Sequence, residues 1–312
     1  MTQRIGFTIY YIFVVCVCLS GCQMKKNHPN LVFVSNKNGN NDIFIYNENG
    51  SQINQLTFDK GDDNLPSLSP NGDEIVFTSN RFYKNNDVYD ITKTDLFILN
   101  LNNKVLSRLI FDPSFITTPS WSPDAKKLVF ISNQVNGLPN IFISNRDGSS
   151  LKQLTTKTID SYPTWSPDGK EILFSSQRGQ NKNGSANILD LYKMNTDGTD
   201  IKRLTDMNSI NISPIWSPDG KSIAFLSKPD FSDHFYDIFI VDANGNSVKR
   251  ITNEHNVYSH ISWTSDGKEL FFDQSLVPHT GKTMISKISI DGKDEKNIIK
   301  IQDSFWPSSS QF

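Results

Sequence analysis

The chain has 312 residues, 37% of them hydrophobic and 21% charged, a balance too apolar for wholesale disorder and sufficient for a sizeable buried core. Its 31 Lys and Arg against 33 Asp and Glu leave a net charge of −2, so it lacks the basic field that neutralises phosphates, and nucleic acid is excluded as an expected partner. All 3 cysteines, Cys16, Cys18 and Cys22, precede the bulk of the chain, which excludes disulfide scaffolds, zinc-thiolate sites and cysteine nucleophiles from the folded part.

Arg4 precedes an apolar stretch from Ile5 to Leu19, short for a bilayer span of about 20 residues and laid out as a signal peptide. Leu19-Ser20-Gly21-Cys22 follows. It resembles the lipobox of bacterial lipoproteins, in which small residues precede the scissile bond and the thiol accepts a diacylglyceryl group. That resemblance implies a signal peptide over 1–21, lipid on Cys22 and stable membrane attachment, because two or more acyl chains suffice for it. Gln23 stands where many Gram-negative inner-membrane lipoproteins carry aspartate, which points to the periplasmic side of the outer membrane. Residues 22–30 are polar, contain Lys25, Lys26 and Pro29, and read as a lipidated tether.

From residue 31 onward the chain repeats itself. Pro119-Ser-Trp-Ser-Pro-Asp-Ala-Lys126, Pro163-Thr-Trp-Ser-Pro-Asp-Gly-Lys170 and Pro214-Ile-Trp-Ser-Pro-Asp-Gly-Lys221 are copies of one motif. Two weaker copies flank them, with Leu68 replacing the Trp in one and Ser265 replacing the second Pro around Trp263 in the other. The Trp positions fall at 68, 121, 165, 216 and 263, steps of 44 to 53 residues, which is the range of four-stranded propeller blades. After each motif comes an apolar run such as Glu171–Ser176, a variable loop, a second run such as Asp190–Met194, an Asp-Gly turn and a short strand ending in Arg203-Leu204-Thr205. Proline presets φ for a type I turn, aspartate bonds its own backbone, and glycine accepts the positive φ that closes the hairpin.

The N-terminal segments Leu31–Asn36, Asp42–Tyr46 and Gln55–Thr57 supply the last three strands of a unit, and Trp306–Ser310 resembles an opening strand without the rest. The spacing therefore predicts an all-β, six-bladed β-propeller over 31–312, closed by pairing of C-terminal and N-terminal strands. Such closure leaves no unpaired sheet edge between first and last blade.

The recurring P-x-W-S-P-D-G-K motif, followed by an apolar strand, an aromatic strand, a D-G turn and Leu-Thr, resembles the WD-like repeat of TolB-type periplasmic propellers. Those proteins carry an additional N-terminal α/β domain, whereas here the first blade is expected to follow the tether directly. The resemblance implies a non-enzymatic envelope protein.

With the four strands of a unit labelled A to D in chain order from the central channel outward and the Trp motif on A, the A–B and C–D links are short and uniform, and the B–C loops and D-to-A crossings are the variable ones. These share the opposite rim, where binding is expected. The residue before each motif should form a ring of Leu65, Thr118, Tyr162, Ser213, His260 and Trp306, with Arg81, Phe82, Tyr83, Phe235 and Tyr236 around it as a stacking surface for a protein, peptide or glycan ligand. No G-x-S-x-G elbow is present and no cofactor is implied. His234, His255, His260 and His279 all fall on this rim and could bind a metal. Because propellers related to this repeat include oligogalacturonate lyases that hold a metal through histidines, the resemblance implies a metal-dependent lyase of that type as the alternative. A monomer is expected.

Overall fold

One set of hydrogen bonds closes each Ser-Pro-Asp-Gly segment. Ser166 Oγ donates to Asp168 Oδ1 at 2.7 Å and accepts from the Glu171 amide at 2.9 Å, and Asp168 Oδ1 also accepts from the Lys170 amide at 3.1 Å. The same bonds recur at Ser122–Asp124, Ser217–Asp219 and Thr264–Asp266. Proline is thus dispensable in the last copy, because the hydroxyl and the carboxylate already fix the turn.

These turns join the first two strands of the repeating units in a computed structural model, which describes residues 15–16, 30–47, 52–85, 88–110, 114–135, 137–178, 188–228, 236–253, 258–275 and 283–300. Six four-stranded antiparallel sheets form the blades. Blade one holds β1 (Val15–Cys16), β2 (Asn30–Ser35), β3 (Asp42–Asn47) and β4 (Gln52–Gln55). Blade two holds β5 (Asp63–Leu68), β6 (Glu74–Ser79), β9 (Asp95–Asn100) and β10 (Leu106–Ile110), and its B–C loop carries a small hairpin, β7 (Lys84–Asn85) and β8 (Val88–Tyr89). Blade three is β11 (Ile116–Trp121), β12 (Lys127–Ser132), β13 (Asn140–Asn145) and β14 (Lys152–Gln153), and blade four is β15 (Asp160–Trp165), β16 (Glu171–Ser176), β17 (Asp190–Asn195) and β18 (Lys202–Arg203). Blade five is β19 (Ile210–Trp216), β20 (Ser222–Lys228), β21 (Asp237–Asp242) and β22 (Lys249–Arg250), and blade six is β23 (Tyr258–Trp263), β24 (Glu269–Ser275), β25 (Thr283–Ser289) and β26 (Lys296–Lys300). The described residues contain no helix, and the all-β, six-bladed expectation holds. The outermost strands of blades three to five have only two residues and carry Lys or Arg, which keeps their free edges from recruiting another chain.

The core lies within and between the blades. A stacked pair recurs across the second and third strands of the first five: Phe33–Phe44, Phe77–Phe97, Phe130–Phe142, Phe174–Tyr192 and Phe225–Phe239, with centroids 5.7 to 6.1 Å apart. Blade six pairs Phe272 with Ser286 instead. The motif tryptophans are buried against the neighbouring blade, and Trp121 Nε1 donates to the Ser67 carbonyl of blade two at 3.0 Å. Glycine serves the inter-blade seam as well as the turn. A methyl group on Gly245 would lie 2.3 Å from the Leu204 carbonyl of the preceding blade, so only a residue without a side chain lets the turn close there.

The closing strand differs from the sequence expectation. The strand beside β2 is Val15–Cys16, in the register Val15↔Phe33 and Cys16↔Val32, and it comes from the stretch that reads as a leader. The tail segment Trp306–Ser310, expected in that slot, lies outside the described residues. The slot itself, on the inner edge of blade one, is where the repeat arithmetic puts it.

Candidate functional site

The first and third strands of a blade begin at one rim, and the second and fourth end there. The B–C loops and D-to-A crossings therefore gather on this rim, opposite the tight turns. The third strands of blades one to five start with a buried Asp or Asn that organises the rim. Asp190 accepts from Thr205 Oγ1 at 3.0 Å and from Arg203 at 2.5 Å, and Thr205 in turn accepts from the Leu191 amide at 2.9 Å. Asp237, Thr252 and Arg250 repeat the arrangement, and Asn140, Thr155 and Gln153 form a neutral version of it. The recurring Arg-Leu-Thr and Gln-Leu-Thr triplets are thereby explained: alternate residues of one strand reach one carboxylate. Blade one departs, since Asp42 faces Gln55 and Thr57 with no arginine. Burial and then the charge of Asp63 push the Asp42 carboxyl up to about 6.

Two further buried carboxylates open first strands. Arg81 donates to both oxygens of Asp63 at 2.7 and 2.8 Å and to Ser79 Oγ at 3.0 Å, and it lies over the Phe97 ring at 4.8 Å. Arg178 does the same with Asp160, Ser176 and Phe174. Tyr83 donates to Asp95 Oδ1 at 2.7 Å, and burial together with that bond pushes its phenol up to about 12. Arg81 and Tyr83, read from the sequence as ligand contacts, are therefore committed to internal partners.

The predicted ring is a geometric unit for four of its members. Leu65, Thr118, Tyr162 and Ser213 each precede the motif proline, sit at the β-bulge of the first strand and adopt φ of 53°, 48°, 53° and 52°. Left-handed backbone at a residue other than glycine costs about 1 kcal/mol or more and persists only where the surrounding structure over-determines it, so the bulge is a fixed feature of these four blades. His260 is half-buried at the matching bulge, with its amide donating to Asp273 Oδ1 at 2.8 Å and its ring Nδ1 3.6 Å from Asp273 Oδ2. Tyr236 packs against the core of blades five and six. Trp306, Phe235, His234, His255 and His279 lie outside the described residues. Among the described residues no cluster of three or more metal-binding side chains occurs.

Beside Phe82, which the sequence already offered as a contact, the loop rim of blades one and two exposes apolar side chains that sequence reasoning did not single out. Phe58 is 75% exposed, Val88 70%, Ile91 61% and Phe82 58%. Phe82 is held in place by Phe97 beneath it at 6.0 Å and Arg108 over it at 4.4 Å. The crossing that carries Phe58 runs tight against the same loop: a methyl group on Gly61 would lie 2.7 Å from Arg81 Cα, and the Asp62 amide donates to Asn80 Oδ1 at 2.7 Å. The signal available in the sequence was the length of the loop after Ser79, which holds Phe82, Val88 and Ile91. A cavity of about 260 Å³, lined by Asp168, Glu171, Lys193 and Trp216 among others, opens on the turn rim between blades four and five.

A family model described as TolB beta propeller domain matches residues 88–188 and 161–310. Among curated proteins, the chain is similar to the Protein TolB homolog of Chlorobium luteolum, with 34% identity over 157 residues, 50% of this chain and 32% of that protein. Among solved structures it resembles TolB from Acinetobacter baumannii, with a TM-score of 0.70 and 21% identity over 88% of this chain and 64% of that one. An oligogalacturonate lyase in complex with manganese is more distant, with a TM-score of 0.59 and 15% identity over 93% of this chain and 79% of the lyase. The chain thus spans about a third of the curated relative's length.

Proposed function

The chain belongs to the TolB beta propeller domain family, and from that premise we propose that it is a non-enzymatic, lipid-anchored protein of the cell envelope that binds an envelope ligand on its loop-rich rim. The relative's name, TolB homolog, supports an envelope role, while the fold alone leaves the ligand open. The processed chain begins at Cys22, carries its lipid there, resides on the periplasmic side of the outer membrane and works as a monomer. A protein is the ligand class that suits the rim best, with a peptide as a narrower form of the same contact and a glycan as the alternative class.

The observation that carries this reading is the exposed set Phe58, Phe82, Val88 and Ile91. Four large apolar side chains, each more than half exposed, stand on two loop-rim segments held together by the Asp62–Asn80 bond, and apolar groups gathered so on one rim support an interaction site there. Capture from detergent-solubilised envelopes with the full-length protein and with Phe82→Ser/Ile91→Ser tests it. A partner retained by the former and lost by the latter supports the rim, and equal retention moves the binding surface elsewhere.

The lyase alternative rests on four histidines, of which the described residues include His260 beside Asp273. The likeness to the manganese lyase concerns the fold. Release of unsaturated product from oligogalacturonate in the presence of manganese would replace the binding reading.

A further inference from the structure

We propose that the turn rim lies against the lipid bilayer that holds the anchor, so that the loop rim points away from it. The inference rests on the lipid anchor at Cys22 and adds the orientation of the propeller.

The first support is where the tether ends. β2 begins at Asn30, which pairs with Asn47, the last residue of β3, so the chain enters the propeller at the turn rim. Eight residues from Cys22 span at most about 29 Å when fully extended. Reaching the loop rim would use about 20 Å of that length along a six-residue strand, leaving little to reach the membrane.

The second support is a belt of aliphatic side chains at one register around the outer edge of the turn rim. Ile53 pairs with Tyr46 and Leu106 with Leu99, each next to the last residue of the third strand. Leu151, Ile201 and Val248 stand at the matching place, one residue before the rungs Lys152↔Ile143, Lys202↔Lys193 and Lys249↔Ile240. All five are 41 to 45% exposed, and blade six adds Ile290 on its turn. Isolated exposed aliphatics need no explanation, but recurrence at one register in five consecutive blades, with Ile290 on the turn of the sixth, makes a belt around this rim. Lys126, Lys170, Lys221 and Lys293 stand on the turns of the same rim, highly exposed and only loosely paired with Asp124, Asp168, Asp219 and Asp291. Ammonium groups and aliphatic side chains sharing one rim suit a surface that is phosphate outside and hydrocarbon within.

The test uses the full-length lipidated protein in phosphatidylethanolamine and phosphatidylglycerol liposomes containing brominated lipid. With Cys16 and Cys18 removed in the leader and Cys22 blocked by lipid, a single introduced cysteine can carry an environment-sensitive fluorophore. Probes at Lys170→Cys and Lys221→Cys should be quenched several-fold more than one at Lys60→Cys on the loop rim. Adding Leu151→Asp, Ile201→Asp and Val248→Asp should bring the turn-rim probes down to the Lys60 value while the protein still floats with the liposomes, and Ile201→Asp alone should give an intermediate value. Equal or inverted quenching overturns the orientation, and quenching indifferent to the aspartates overturns the role of the belt. A Cys22 that takes up no fatty-acid label, with a protein that does not float, overturns the anchor itself and the orientation with it.

Discussion

Gln55 Nε2 donates to Asp42 Oδ2 at 3.0 Å in blade one, at the place where blades four and five set Arg203 and Arg250 against Asp190 and Asp237. Blade three matches Gln153 with neutral Asn140. Blade one alone of these sets a buried carboxylate against an amide. Its proton affinity is correspondingly raised, from an ordinary 3.8 to about 6. The folded state then binds a proton that the unfolded state releases between those values, so stability falls as pH rises from about 4 to about 6 and stays lower above. Gln55→Arg should remove this loss. Its melting temperature should exceed that of the parent at pH 7.5 and match it near pH 4; an equal gain at both would show that Asp42 is not the group responsible.

Ala125 holds a φ of 58° in the turn where the other copies place glycine. Ala125→Gly should stabilise by about 0.5 kcal/mol, the relief of left-handed strain exceeding the added freedom of the unfolded chain. Gly245→Ala should do the reverse and cost more than Gly72→Ala, since a methyl group at 245 meets the Leu204 carbonyl while one at 72 meets nothing within 4 Å. Thermal melts of the three variants decide it, and equal losses at 245 and 72 would remove the inter-blade role of the C–D glycines.

Removing Arg178 strands a fully buried carboxylate. Arg178→Met should cost about 3 to 5 kcal/mol, and adding Asp160→Asn should recover part of it, because the expense lies in the unpaired charge. Urea midpoints of single and double variants test this; a double variant no better than the single would mean that Arg178 acts by stacking on Phe174 and Tyr192.

The proposed cleavage before Cys22 would remove β1 with the leader, and the tail segment Trp306–Ser310 is proposed for the inner edge of blade one so vacated. Deleting residues 304–312 from the processed protein should lower its melting temperature by ten degrees or so, about 3 kcal/mol at the slope of a domain this size. An unchanged melt would leave that edge to another segment.

The blade count and strand order were legible because each repeat announces its turns: the hydroxyl and carboxylate of Ser166 and Asp168 bond within six residues, and local bonds leave local signatures. The roles of Arg81 and Tyr83 were not legible in the same way, since their partners Asp63 and Asp95 are 18 and 12 residues away and belong to other strands. A clue did exist. Asp63 and Asp160 each stand three residues before a motif proline, and Ser79-x-Arg81 and Ser176-x-Arg178 follow the second strand in the same two blades, so the pairs recur together. Spacing singles out the residue before each motif proline, but the backbone strain shared by Leu65, Thr118, Tyr162 and Ser213 depends on a bulge that composition does not reveal.

The most direct test of the functional claim is crosslinking in living cells from benzoylphenylalanine at Phe58 or Val88 on the loop rim and at Lys170 or Lys221 on the turn rim. The account predicts one adduct mass shared by the two loop-rim positions and absent from both turn-rim positions. A protein adduct confined to Lys170 and Lys221, or none from Phe58 and Val88, would contradict it.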